Sequence, residues 1–457
     1  MDRPRRSIQL GSLDVTEVID RSSLNATSLR ILALCLMAML VDGFDIQVIT
    51  YVAPVLTHEF GVERAMLGPV FSSGLLGTTL GALIFGALGD RVGRKRVLCS
   101  CILTFAICSL GTITATGIGT LMVWRFISGL GLGGLTPLTV AYVAEFCPAR
   151  FKVPAAMITT SGYAIGAAGG GLIAAYMIPA LGWRSVFVFG GVAPLLILAA
   201  IFVLLPQSIV DLARRGRSDL VAKAINQIAP TVSVDPDAKL SLSEREVGFP
   251  IKRLFTEGRT SRTIVLWVMF FANILSLYFM VSWLPTIAHS SGIDLADSVR
   301  AAAFMQVGSV LGTFSLAALV RRLDPFTMIG IGMGGGALTQ VLLAFAGSSI
   351  AYFTTIAFLA GFFVIGTQTG ANAVSAFAYP PSLRSTGVGW ALGIGRSGAI
   401  LGPTLGGVLM ALGWPTRDLL LVAAGPALFA SLLAFVLSRM LRHSSDVQQA
   451  VAAPSAS

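Results

Sequence analysis

Runs of about twenty apolar residues, broken by short polar turns, follow one another along almost the whole chain. A helix rises about 1.5 Å per residue, so each run is long enough to cross the ~30 Å hydrocarbon core of a bilayer. Hydropathy and turn residues predict about twelve helices, spans 1–12, near 31–53, 66–88, 97–116, 119–146, 154–178, 185–205, 263–288, 299–320, 327–346, 351–378, 386–411 and 418–440. The one long polar stretch, 206–262, divides them into two blocks of six. Its Ser208–Ile228 part has the pattern of an amphipathic helix on the membrane surface. The expected organisation is an N-terminal tail (1–30), a six-helix bundle (31–205), a linker (206–262), a second six-helix bundle (263–440) and a C-terminal tail (441–457). The fold class is an all-α integral membrane protein.

Composition agrees. Residues are 55% hydrophobic and only 12% charged, about half the charge of a soluble protein. The net charge of +10 raises nucleic acid as a partner, but its placement argues against that. Lys and Arg gather in the N-terminal tail, at 91–96, in the linker and at Arg321-Arg322; between these, Arg64, Arg184, Arg300 and Arg417 stand alone. This positive-inside pattern places both termini and the linker in the cytoplasm, with the basic loops facing anionic lipid and no nucleic acid. The polar N-terminus is unlike a cleavable signal peptide, so span 1 is itself the insertion signal. Five cysteines (35, 99, 101, 108, 147) and three histidines (58, 289, 443) show no disulfide framework or metal-ligand spacing. No nucleophile–base set emerges, so neither an enzyme nor a cofactor is expected.

Within span 1, Asp42-Gly43-Phe44-Asp45 breaks the apolar pattern. Each carboxylate in such a helix costs about 2.5–3.5 kcal/mol on insertion scales. Their i, i+3 spacing puts both on one face, suited to carrying a proton or meeting a buried cation. Arg125 of span 4 lies at a similar depth, so it either neutralises one of these carboxylates or forms a pair that protonation releases. Asp42 is the preferred proton carrier, because Asp45 lies closer to the outer water and can serve a gate.

The two blocks read as repeats. Gly162-Tyr-Ala-Ile-Gly166 with Gly182-Trp183 lies over Gly393-Ile-Gly-Arg396-Ser397 with Gly413-Trp414 at an offset of 393 − 162 = 231. Parallel six-helix repeats imply two bundles that rock about a midplane site. Small residues every fourth position, at 162, 166 and 170, at 129 and 133, and at 398, 402 and 406, are read as close helix contacts. Pro137 and Pro403 are expected to mark bends.

Further polar residues divide between substrate and gate. Arg396, near the middle of span 11 with no acid elsewhere in that span, either binds a substrate carboxylate through its planar fork or pairs with an Asp of span 1. Gln368 and Asn372 share a face of span 10, and Asn273 and Tyr278 lie in span 7; each is a cavity group or a helix-contact group. Aromatics of span 7, including Trp267 and Trp283, either pack or stack on an aromatic ring. Between spans 2 and 3, Gly86-Ala-Leu-Gly89-Asp90-Arg91-Val92-Gly93-Arg94-Lys95-Arg96 forms a basic turn, and Glu145 at the inner end of span 4 is expected to latch onto Arg94 or a neighbour.

That loop is the signature of the major facilitator superfamily. With Asp42-Gly-Phe-Asp45, Arg125-Phe-Ile-Ser-Gly-Leu-Gly, Ser282-Trp-Leu-Pro285 and Gly387-Val-Gly-Trp390…Gly393-Ile-Gly-Arg396-Ser-Gly, the chain resembles that superfamily's aromatic acid:proton symporters from about residue 12 to 440. The resemblance implies inward transport of benzoate- or hydroxybenzoate-like anions with protons, by a monomer in the cell inner membrane, as part of aromatic acid catabolism. It carries the family's acidic positions onto Asp42, Asp45 and Asp90 and its arginines onto Arg125, Arg384 and Arg396, with Asp90, Arg91, Arg94, Glu145 and Arg384 as gate residues. Thr136-Pro137-Leu138 and Pro206-Gln207-Ser208 depart from its common Met-Pro-Asn and Pro-Glu-Ser strings. An aliphatic mono- or dicarboxylate such as muconate stays open as substrate, as does an acid sensor without net flux.

Overall fold

The computed structural model describes residues 13–14, 19, 24–217, 219–221, 240–241, 251–319, 324–379 and 383–452. Among these, eleven helices are long and apolar enough to cross a membrane. They are Ala26–Glu59, Arg64–Gly89, Arg94–Thr112, Ile118–Phe146, Ala149–Leu181, Trp183–Leu204, Thr260–Ser290, Leu295–Leu316, Pro325–Ala344, Ile350–Asn372 and Thr416–Arg442, which are spans 1–10 and 12. Span 11 departs from the expectation. It is a continuous helix of 28 residues, Arg384–Ala411, but eight glycines, Arg396 and Ser397 dilute its hydropathy. Three of those glycines explain why: a Cβ at Gly398 or Gly402 would lie 2.5 Å from a carbonyl oxygen of span 7, and one at Gly406 would strike the Trp283 ring.

Two spans are interrupted. Span 4 breaks between Ile118–Gly133 and Leu135–Phe146. Pro137 has no N–H to give the carbonyl of Gly133, four residues back, so the helical ladder fails there. Span 10 passes through a π-helical turn, Gly361–Ile365, before resuming as Gly366–Val374. Pro403, by contrast, sits inside the unbroken helix of span 11. Of the surface helix expected over Ser208–Ile228, Ile209–Arg214 is helical with Ser208 as its cap; residues 222–228 lie outside the described residues. Apart from helices, Leu13–Asp14 pairs with Leu240–Ser241 as a two-residue parallel ladder.

The chain packs as two compact units. The first comprises Met1–Ile46, Ser73–Ala167 and Arg184–Val247; the second comprises Gln47–Ser72, Ala168–Trp183 and Gly248–Ser457. The core of the first includes Cys35, Leu98, Phe105, Leu135, Tyr142 and Phe146, and it extends to Ile209 and Leu212 of the linker helix. In the second, Asp324 caps span 9: its carboxylate accepts from the Thr327 amide at 2.8 Å and the Ser438 hydroxyl of span 12 at 2.7 Å, with Arg442 at 3.7 Å. Burial pushes this carboxyl up, but those hydrogen bonds and the arginine outweigh it and hold it below the usual carboxylate range. A lowered folded value means stability that is present above the unfolded value of about 3.9 and lost as pH falls through the folded one. Thermal midpoints in detergent should therefore drop as pH falls below about 4, and Asp324→Asn should flatten that slope.

Candidate functional site

Asp42 and Asp45 straddle the middle of span 1 and are buried, 3% and 0% exposed. The residues between them set this placement. A Cβ on Gly43 would lie 1.8 Å from the carbonyl oxygen of Tyr163, so spans 1 and 5 touch backbone to backbone. Gly166 of span 5 makes the same approach to Leu40. Phe44 packs edge-on against Phe189 of span 6, with ring centres 5.4 Å apart.

The carboxylates meet span 4. Arg125 Nη1 donates to both oxygens of Asp45 at 2.8 and 2.9 Å, and Nη2 donates to the Asp45 carbonyl at 3.2 Å. The Ser128 hydroxyl adds a longer bond to Asp45 Oδ2 at 3.3 Å. Arg125 is itself 4% exposed, so this is a desolvated ion pair, whose attraction must offset the loss of water around both charges. Asp42 has a different neighbour: the Thr136 hydroxyl, just past the break in span 4, donates to its Oδ2 at 3.4 Å. The arginine thus belongs to Asp45, while Asp42 faces a hydroxyl able to donate to a carboxylate or accept from a carboxylic acid. Thr136 stood in the sequence within a departure from a family pattern, and its proximity to Asp42 is what that pattern could not convey.

In the second unit the polar groups expected in spans 7 and 10 form a chain. Asn273 Nδ2 donates to Gln368 Oε1 at 2.6 Å, and Gln368 Nε2 donates to Asn372 Oδ1 at 2.8 Å. Asn273 is 2% and Gln368 8% exposed, whereas Asn372 is half-buried. A turn further along span 7, the Ser276 hydroxyl donates to the Ala423 carbonyl at 2.7 Å and receives Gln340 Nε2 at 2.8 Å. Tyr278 and Arg396 are half-buried. Arg396 shares a face of span 11 with Gly389 and Gly393, at which an added Cβ would meet no atom within 4 Å. That face is open around the two glycines.

At the end of the first unit nearest the linker, Glu145 is the hub. It accepts from Arg94 Nη1 at 2.9 Å, from the Ser208 hydroxyl at 2.8 Å and from the Val210 amide at 2.7 Å. One carboxylate thus joins the loop after span 2 to the start of the linker helix. Gly93, at φ 117°, turns that loop against Asp211, and Arg91 is exposed. The Asp90 side chain lies outside the described residues. Arg384 is exposed, and its Nε donates to the Tyr379 carbonyl at 3.3 Å.

At the other end of the helices, within the second unit, the start of span 2 packs on spans 7 and 11. The Ser72 hydroxyl donates to the Ile400 carbonyl at 2.7 Å and lies 2.7 Å from the Thr404 hydroxyl. Trp283 Nε1 donates to the Pro403 carbonyl at 3.1 Å, with Phe71 edge-on to its ring. Gly68 and Gly407 let the two backbones approach. Trp283 is fully buried, so its role is packing.

The family model described as Major Facilitator Superfamily matches residues 35–391. The chain belongs to the major facilitator superfamily. It is therefore a multi-pass membrane transporter and not an enzyme. It is 37% identical to the 4-hydroxybenzoate transporter PcaK of Pseudomonas putida, over 92% of this chain and 94% of that one. It is 33% identical to a gallate transporter of Pseudomonas putida, again over 92% of this chain and 94% of the relative. The inward-facing, occupied crystal structure of a bacterial homologue of the human lysosomal transporter Spinster superposes with a TM-score of 0.71 at 16% identity, covering 91% of this chain and 98% of the other. The resemblance to the aromatic-acid branch of the superfamily, drawn from the motifs of spans 1 and 11, agrees with these relatives.

Proposed function

We propose that this major facilitator protein imports an aromatic carboxylate of the benzoate or hydroxybenzoate type together with protons. It works as a monomer in the cytoplasmic membrane, with both termini and the linker 206–262 in the cytoplasm joining two six-helix bundles. The observation that carries the proton is the pair of buried carboxylates in span 1, Asp42 and Asp45. Asp45 accepts from Arg125, while the Thr136 hydroxyl beside Asp42 can either donate or accept. The names of the relatives support the aromatic acid. Arg396 supplies a cation for the carboxylate, and the amide chain ending at Asn372 supplies neutral partners for ring hydroxyls.

Alternating access follows from the two ends. Neutral contacts of span 2 with spans 7 and 11 close the outside, and the Arg94–Glu145 latch with the linker helix governs the cytoplasmic side. One proton per monoanion moves no net charge, so uptake draws on the pH gradient at about 1.36 kcal/mol per unit. In proteoliposomes loaded at neutral pH, an acid exterior should accelerate uptake of labelled 4-hydroxybenzoate, and Asp42→Asn should abolish that acceleration. Unchanged gradient response in Asp42→Asn would remove Asp42 from the mechanism.

A further inference from the structure

The two halves carry the same backbone marks at one offset. Gly61 and Gly292 (292 − 61 = 231) follow spans 1 and 7 at φ 61° and 88°; Gly182 and Gly413 (413 − 182 = 231) follow spans 5 and 11 at φ 78° and 79°. Pro54 and Pro285 (285 − 54 = 231) lie inside spans 1 and 7. Gly77 and Gly81 approach the carbonyls of Phe126 and Leu130, while Gly308 and Gly312 (308 − 77 = 312 − 81 = 231) approach those of Phe358 and Phe362. These last contacts place span 4 on span 10 at 358 − 126 = 362 − 130 = 232.

On the first of these offsets Asp42 falls on Asn273 (42 + 231). Past the π-helical turn, Gly366 meets Gly312 and Thr313 as Gly133 meets Gly81 and Ala82, so there the offset is 366 − 133 = 233 and Gln368 falls on Leu135, next to Thr136. The bonds from Asp42 to Thr136 and from Asn273 to Gln368 thus start from equivalent residues and reach adjacent positions of spans 4 and 10. Both lie just past an interruption, the break at Gly134 in one half and the π-helical turn Gly361–Ile365 in the other. The neighbouring charges are replaced as well: Asp45 falls on Ser276 (45 + 231) and Arg125 on Ala357 (125 + 232). An amide is isosteric with a carboxylic acid but exchanges no proton in the accessible pH range.

We propose that Asn273 sets the proton count of the transport cycle: it occupies the position at which the second half would carry a proton of its own, and its amide holds that position neutral. This rests on Asp42 as the proton carrier of the first half. The swap tests it. In proteoliposomes, Asp42→Asn should lose the acceleration by an acid exterior, and Asp42→Asn/Asn273→Asp should regain most of it, because the carboxylic acid has moved to the equivalent site. Asn273→Asp alone should carry one more proton per anion. With about 100 mV inside negative, that raises equilibrium accumulation over wild type by roughly 50-fold.

A double variant that binds labelled 4-hydroxybenzoate in detergent yet ignores the gradient would overturn the proposal. So would Asn273→Asp with weaker binding and unchanged accumulation, the signature of a residue that only orients Gln368. If Asp42→Asn keeps its gradient response, the first-half reading fails and takes this one with it. Should Asn273→Asp not fold, Gln368→Glu puts the acid on the other member of the same pair and makes the same predictions.

Discussion

Arg125→Met should yield a protein that is poorly folded and inactive, while Asp45→Asn/Arg125→Met should recover the fold and not the transport. The single change leaves Asp45, 0% exposed, with its charge and no counter-ion. Stranding one member of a buried pair costs about 3–5 kcal/mol, against a total stability of roughly 5–15 kcal/mol. Removing both charges replaces the pair by neutral groups of similar volume, which is often tolerated. Arg125→Lys should fall between: it keeps the charge but cannot reach both carboxylate oxygens and the Asp45 carbonyl with one planar fork. Yield and thermal midpoint in detergent separate folding from uptake. A single variant as stable as wild type would mean that the ion pair does not form in the membrane.

The second large effect belongs to a methyl group. Gly43→Ala should abolish uptake and lower the thermal midpoint, whereas Gly393→Ala should leave the fold intact. The new Cβ at position 43 would sit 1.8 Å from a backbone oxygen of span 5, and backbone cannot swing aside as a side chain does. Spans 1 and 5 must separate, at an overpacking cost of about 1–3 kcal/mol or more. The separation also shifts Asp42 and Asp45 against Thr136 and Arg125, and a displacement of about 1 Å in a positioned group can cost on the order of 100-fold in rate. At Gly393 the methyl meets open space, so the packing is left as it is. Equal tolerance of the two alanines would contradict the close packing of spans 1 and 5.

Much of this arrangement was legible in the chain. The periodic apolar runs gave the spans, and the cost of two carboxylates in one of them pointed to Asp42 and Asp45. Which of the pair meets Arg125 was not legible: both lie on one face at nearly one depth, and only the rotation of span 4 against span 1 separates them. Glu145 and Arg94 were read as neighbours from their positions at the cytoplasmic ends of spans 4 and 2. Ser208 and Val210 were not, because a contact from the linker back to span 4 leaves no periodic trace. Span 11 shows the limit of hydropathy: its motif and length place a span where apolarity falls short, since the glycines that admit span 7 are themselves barely hydrophobic. The π-helical turn of span 10 has no proline or charge to announce it. It coincides with Gly361, where a Cβ would lie 1.7 Å from the Met305 carbonyl of span 8.

The contacts of Ser72, Trp283, Pro403 and Thr404 are hydroxyls, an indole and backbone carbonyls. Mobile ions screen charges over about 8 Å at physiological salt but leave such dipolar contacts nearly untouched. The Arg94–Glu145 pair is built from opposite charges, with Arg94 19% exposed. Added salt should therefore loosen the Arg94–Glu145 pair and leave the contacts of Ser72 and Trp283 as they are.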